Sequence, residues 1–192
     1  MLPPSLLVAA YEAGAFPMAM DDGEIRWFSP DPRAIIPLDG FRVPHRLSRT
    51  IRSRRFEVTV NRAFGDVIRE CAAHRGEGTW ISDEIVESYC ALHERRLAHS
   101  VETWSAGRLV GGLYGVALKG AFFGESMYRR ERDASKVALA ALVARLTHRG
   151  FLLLDVQWLT PFLESLGAVE IPRDAYLGQL QDALQADAAF GD

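Results

Sequence analysis

GAFFGESMYRRERDASKVALAALVARLTHRGFLLLDVQWL, residues 120–159, decides the architecture of this chain. Leu139, Leu142, Val143 and Leu146 recur at helical spacing, Asp133 stands where an N-cap belongs, and Arg149 and Gly150 supply basic and glycine stop signals. The spacing predicts a helix of about four turns. Before it, Gly120 to Phe123 reads as a strand followed by a polar turn. After it, Phe151 to Leu154 is an apolar run ending in Asp155, Val156 and Gln157. Period-two geometry places Asp155 and Gln157 on one face. Two readings of that pair are open. One is a polar strand end, with Asp155 capping a turn and Gln157 in solvent. The other is an active site at the mouth of a sheet, where a carboxylate takes a proton and an amide orients a nucleophile.

Three strands precede this unit in the reading, His99 to Trp104, Arg108 to Leu118 and Gly120 to Phe123, joined by tight turns at SAG and KG. Phe56 to Val60 alternates as another strand. Arg62 to Ala73 reads as a helix, and Ser82 opens a second with Asp83 and Glu84 in its first turn. Following Gln157 come a short helix at Pro161 to Leu166, a strand at Ala168 to Ile171 and, from Gln179, a polar, alanine-rich frayed helix. At the other end, Pro3 to Ala13 reads as a helix stopped by Gly14. Ile25 to Phe28 and Ala34 to Leu38 read as short strands on either side of SPDPR. Residues 1–55 are expected to form a small α/β lobe that leans on a larger domain spanning residues 56–192.

A chain of 192 residues with 48% hydrophobic content can bury one substantial core. Cys71 and Cys90 have neither metal-type nor redox spacing, and no apolar run approaches ~18 residues. These features point to a cytoplasmic protein, with no metal site and no membrane insertion. The formal net charge of −3 hides one basic cluster: RVPHRLSRTIRSRR, residues 42–55, holds six arginines and no acid. Arg46, Arg49 and Arg52 would share a helix face, with Leu47 and Ile51 turned inward. A solvated charged face and a phosphate-binding surface both fit that pattern.

From residue 56 onward the order is strand, two helices, three strands, helix, strand, short helix, strand. That order matches the α+β acyltransferase fold called GNAT, a central mixed sheet flanked by helices. A coenzyme A pyrophosphate would need glycine-rich backbone at the start of the central helix. The turn there, Tyr128 to Asp133, carries Arg129, Arg130, Glu131 and Arg132 and no glycine, which disfavours coenzyme A.

Further motifs carry a family resemblance. They are Tyr11, Gly14, Phe16, Pro17 and Met18; WFSPDPRAIIP at 27–37; GTWI at 78–81; His99 and Ser100; LVGGLYG at 109–115; FFGESM at 122–127; DASK at 133–136; LLDVQ at 153–157; and LGAVEIPR at 166–173. In this order, over nearly the whole chain, they resemble the bacterial leucyl/phenylalanyl-tRNA–protein transferases. The chain departs from the usual family pattern at Phe28, where a second tryptophan is common, and at Pro161-Phe162, where Asp-His is common.

The resemblance implies an enzyme that moves leucine or phenylalanine from charged tRNA to the amino-terminal Arg or Lys of acceptor proteins, marking them for degradation. It is expected to be a monomer needing no cofactor. A coenzyme A-dependent N-acetyltransferase and a non-catalytic tRNA-binding relic are the alternatives. By matching motif, Asp155, Gln157 and Glu125 form the catalytic group: Gln157 holds the amine, Asp155 orients Gln157, and Glu125 attracts the acceptor's basic first residue. Trp27, Trp80 and Thr160 would contact the substrates, and Leu113, Met127, Leu139, Leu142 and Leu154 would enclose the apolar side chain. Arg46, Arg49, Arg52, Arg129, Arg130 and Arg132 would hold tRNA phosphates.

Overall fold

The computed structural model describes residues 1–73 and 79–191. Gly78, the first residue of the GTWI motif, lies outside the described residues. Strand β1 (Phe16–Ala19) follows helix α1 (Pro4–Glu12) and pairs with β2 (Ile25–Phe28) as a two-stranded hairpin. Next come β3 (Arg33–Ile35), α2 (His45–Arg52), β4 (Glu57–Val60), α3 (Phe64–Ala73) and α4 (Asp83–Glu94). Strands β5 (Ala98–Ser105), β6 (Arg108–Leu118) and β7 (Ala121–Arg129) run consecutively into α5 (Ala134–His148) and β8 (Leu153–Gln157). The chain closes with α6 (Pro161–Glu164), β9 (Val169–Ile171) and α7 (Arg173–Gln185).

One seven-stranded sheet dominates, in the order β4-β5-β6-β7-β8-β3-β9. Strands β4 to β7 pair antiparallel, and β8 returns parallel to β7 after the α5 crossover. This is the α+β arrangement expected from the element order. Strand β3 lies between β8 and β9, so residues 33–35 of the amino-terminal segment are built into the large sheet.

Alternation along β6 explains the layering. Tyr114, Val116 and Leu118 join a cluster with Ile68, Ile85 and Leu92 of α3 and α4, while Leu113 and Ala117 join one with Leu139, Leu142 and Leu146 of α5. Each side chain such as Leu142, fully excluded from water, stabilises the fold by about 1.5–3 kcal/mol. Helix α4 starts where expected, with the Ser82 hydroxyl accepting from the Ile85 N–H at 3.3 Å.

Several expectations are corrected. FFGESM is strand rather than strand and turn, because β7 continues to Arg129. A bulge hides this in the sequence: Ser126 pairs with Tyr114 and Gly124 with Gly115, which leaves Glu125 as the extra residue and breaks the alternation. Asp133 precedes α5 but does not cap it with its side chain; its backbone is left-handed, φ +69°, and its carboxylate instead lies 3.6 Å from Arg46. Ile51 is exposed, so only Leu47 anchors α2. The carboxyl-terminal segment is an ordered helix beginning at Arg173, with Tyr176, Leu180 and Ala183 buried.

Two glycines of LVGGLYG set the sheet's close contacts. A Cβ on Gly111 would sit 2.6 Å from that of Ala134, and one on Gly115 would sit 2.2 Å from the Phe123 carbonyl oxygen. The first lets α5 lie tight on β6, and the second permits the bulge. Gly178, inside α7, has open space around it. We expect Gly115→Ala to destabilise the protein by about 3 kcal/mol, the upper end of over-packing costs. Gly178→Ala should stabilise it by about 0.5–1 kcal/mol. Urea denaturation of the two variants checks both signs.

Candidate active site

Parallel pairing between β7 and β8 stops at Phe123 with Asp155. Beyond that point Gly124 to Met127 and Val156 to Trp158 line opposite sides of a cavity of about 340 Å³. That volume lies within the range of small-ligand sites. Leu113, Leu139, Leu142 and Leu154 enter it from β6, α5 and β8, and Phe162 and Leu163 from α6. Thus Leu113, Met127, Leu139, Leu142 and Leu154, the expected apolar pocket, line one space. Trp80, Thr160, Glu125 and Gln157 line it too. Thr160 also caps α6, its hydroxyl accepting from the Leu163 N–H at 3.2 Å.

The bulge delivers Glu125 to the base of this cavity. Its Oε1 accepts from Tyr11 Oη at 2.8 Å and from Gln157 Nε2 at 3.2 Å, and its Oε2 accepts from Tyr89 Oη at 3.2 Å. The two tyrosine hydroxyls also touch each other. Burial pushes the Glu125 carboxyl up to about 7; the Asp155 charge adds to this, while the tyrosine hydrogen bonds and Arg33 oppose it. Tyr11 and Tyr89 are raised by burial and then by the charge of Glu125.

Gln157 sits on strained backbone. Its φ is +61°, and the Trp158 N–H donates to the Val156 carbonyl at 2.8 Å, closing a γ-turn about Gln157. Because the extended geometry ends there, Asp155 and Gln157 serve different surroundings. Gln157 lines the cavity, whereas Asp155 is fully buried among other groups. Arg33 donates to it from Nε at 3.0 Å and Nη2 at 2.6 Å, and Tyr176 Oη donates at 2.9 Å. Asp155 Oδ1 accepts the Gln157 backbone N–H at 2.9 Å. Burial works against the charge on Arg33, but the hydrogen bonds and charge of Asp155 outweigh it and raise its pKa.

Trp27 does not line the cavity; it is 39% exposed on the opposite side of β2 from Phe28. Trp158, which the sequence did not mark, takes a rim position and meets the rings of Phe16 and Phe28 edge-on at 5.0 and 6.2 Å. The departures at Phe28 and Phe162 are therefore both part of the cavity wall or its support. Arg33 was legible in principle: it is a lone charge in the apolar strand RAII, matched by a lone acid ending LLLD. Tyr89 gave no such signal, since a tyrosine on an apolar helix face reads as core. Among the basic residues, Arg46, Arg49 and Arg52 are exposed on α2 as expected, and Arg129, which ends β7, and Arg132, in the turn after it, are exposed too. Arg130 is engaged with Glu70 at 2.6 and 2.9 Å.

A sheet split at the end of a parallel pair, an apolar cavity in the split and a carboxylate–amide pair at its base make a site suited to acyl transfer. The family model described as leucyl/phenylalanyl-tRNA protein transferase matches residues 35–181, and that of the corresponding amino-terminal domain matches residues 1–31. The chain belongs to this family. A leucyl/phenylalanyl-tRNA–protein transferase of Rhizorhabdus wittichii is 54% identical over 98% of this chain and 77% of its own length. Those of Herpetosiphon aurantiacus, 53% identical over 98% of both chains, and Novosphingobium aromaticivorans, 56% identical over 95% of this chain and 71% of its own, agree. A solved ribosomal-protein-alanine N-acetyltransferase from Brucella melitensis biovar Abortus 2308 aligns at 16% identity over 55% of this chain and 81% of its own, with a TM-score of 0.42. No helix among the described residues is long and apolar enough to cross a membrane.

Glu125 ties stability to pH. Its carboxyl ordinarily titrates near 4.5 and here near 7, so between those values the folded state holds the proton more tightly than the unfolded chain. Its contribution is therefore full at low pH and falls as pH rises through 7, by on the order of 3 kcal/mol. Glu125→Gln cannot titrate. The stability gap between parent and variant should shift steadily toward the variant from pH 5 to pH 8 and then level off, as read by urea denaturation at a series of pH values.

Proposed function

We propose that this chain transfers leucine or phenylalanine from charged tRNA to the amino-terminal arginine or lysine of acceptor proteins, forming a peptide bond that marks them for degradation. It acts as a monomer in the cytoplasm, where charged tRNA is made. Family membership supports the reaction class. The observation that carries the reading is the junction of an apolar cavity with the Gln157–Glu125 pair.

In this reading the leucine or phenylalanine side chain enters the space between Leu113, Met127, Leu139, Leu142 and Leu154. The ester carbonyl then lies at the split, near Gln157. Gln157 Nε2 is engaged with Glu125, so the amide oxygen is the end left to accept an N–H from the incoming amine. The amine attacks the ester carbon, the C–N bond forms, and the C–O bond to the ribose breaks. Glu125, with a carboxyl near neutrality, accepts the amine proton and passes it on to the ribose oxygen, which leaves as a hydroxyl. Enclosure under two tyrosines suits Glu125 to this task better than to attracting a basic side chain. Asp155 acts through the backbone of Gln157 rather than by touching the substrate.

The basic residues support a tRNA face. Helix α2 packs on α5, Arg46 lies 3.6 Å from Asp133, and Arg55 lies 2.6 Å from Glu131, so the α2 arginines adjoin the turn carrying Arg129 and Arg132. Reversing charge at Arg46, Arg49 and Arg52 should weaken tRNA binding and reduce the slope of log affinity against log salt by up to about 3. An unchanged slope in a filter-binding titration would remove α2 from the interface.

The direct test is transfer of labelled leucine from leucyl-tRNA to a peptide beginning with arginine, with and without coenzyme A. Transfer should be independent of coenzyme A. Gln157→Ala should lower its rate by about 10²–10⁴-fold while tRNA binding persists. A folded Gln157→Ala variant that transfers at the parental rate contradicts the assignment.

A further inference from the structure

We infer that Arg33 and Tyr176, both outside the cavity, are positioning residues for transfer, acting through Asp155 to hold Gln157 in its left-handed turn. The inference rests on the proposed reaction. A non-glycine residue at φ +61° closing a γ-turn is held against a cost of about 1–3 kcal/mol and persists only where its surroundings over-determine it. The group that fixes it here is Asp155 Oδ1, which accepts the Gln157 N–H at 2.9 Å. That oxygen does so most strongly while the carboxylate is charged, and in a fixed direction only while it is immobile.

Both requirements are met from outside. The Arg33 guanidinium grips the carboxylate through two nitrogens, at 3.0 Å to Oδ1 and 2.6 Å to Oδ2, and Tyr176 Oη adds a third donor at 2.9 Å. Two planar hydrogen bonds from one rigid fork fix the carboxylate plane, which a single ammonium cannot do. Arg33 is anchored in turn: Nη1 donates to the Gly14 carbonyl at 3.0 Å, and its guanidinium carbon lies 4.8 Å from the Phe16 ring centre and 4.5 Å from that of Tyr176. The turn after α1, the strand β3 and the helix α7 thus converge on one carboxylate, and through it on the backbone of a cavity residue. Neither Arg33 nor Tyr176 is among the residues lining the cavity; their hydrogen-bonded route to it runs through Asp155 and the Gln157 backbone, and the charge of Arg33 on Glu125 is kept in Arg33→Lys.

The test is a double-mutant cycle on the full chain. Tyr176→Phe removes one donor with little change of shape, and Arg33→Lys keeps the charge but loses the fork. Each should lower kcat for leucine transfer, by about 10-fold and about 10–100-fold respectively, with KM for leucyl-tRNA changed less than about twofold. Combined with Gln157→Ala, neither should slow transfer beyond Gln157→Ala alone, because they act on a group already removed. Multiplying losses in the double variants, or parental kcat in the folded single variants, overturns the inference. Should Arg33→Lys not fold, Tyr176→Phe carries the same test. A second readout separates this inference from the proposed reaction: both variants should move the ¹⁵N–¹H resonance of the Gln157 backbone amide, and an unmoved resonance refutes the link even if the parent transfers no leucine. A parent that transfers nothing while the resonance moves defeats the reaction and leaves the backbone link standing.

Discussion

Everything at the site depends on two parallel neighbours ceasing to pair. Strands β7 and β8 are hydrogen-bonded only as far as Phe123 and Asp155. Two local irregularities keep them apart beyond that: the bulge that makes Glu125 an extra residue, and the γ-turn that rotates Gln157. An open split in the middle of a sheet would leave backbone groups and apolar side chains facing a void. Here the void is walled by α5 and α6 on one side and by the β1–β2 hairpin on the other, with Phe16, Leu139 and Phe162 among its lining residues. The cavity draws on both hydrophobic clusters, taking Phe16 and Tyr114 from one and Leu113, Leu139 and Leu142 from the other.

A guanidinium and a carboxylate buried together beside this split are costly. Removing both charges from water carries a desolvation penalty that their attraction offsets only with good geometry and additional hydrogen bonds. Arg33 and Asp155 have both, since the guanidinium, the Tyr176 hydroxyl and the Gln157 N–H all donate to the carboxylate. An apolar pair of similar size would hold β3 against β8 at least as well. What it could not do is accept the Gln157 N–H. The ionic group is thus explained by the conformation it imposes rather than by the stability it adds.

How much of this was legible in the sequence differs by element. Helix α5 and the strands β5 and β6 are plain, because Leu139, Leu142 and Leu146 repeat at helical spacing and the SAG and KG turns bracket the apolar run of β6. The apolar pocket residues were also reachable, since they lie on those regular elements. The end of β7 is hidden, because Glu125 and Ser126 look like turn residues unless the bulge is known. The roles of Asp155 and Gln157 diverged for a similar reason: period-two reasoning assumes extended backbone, and a positive φ at Gln157 ends it. Contacts between distant segments, such as Arg33 with Asp155 or Tyr11 and Tyr89 with Glu125, left only faint marks, because pairing across the chain has no period. Trp158 leaves no mark, because one aromatic after a strand has no local signature.

Helix α5 also acts as a ruler. Its start is tied to the basic helix α2 through Asp133 and Arg46, and about 1.7 and 2.5 turns further on Leu139 and Leu142 face the cavity. Six residues of helix separate Asp133 from Leu139, roughly 9 Å at 1.5 Å per residue. That interval is set by backbone geometry and cannot stretch. Whatever is held on the arginine face is therefore presented to the cavity at one distance, so a charged group and an apolar group can be accommodated together only when a single molecule carries them at the matching separation.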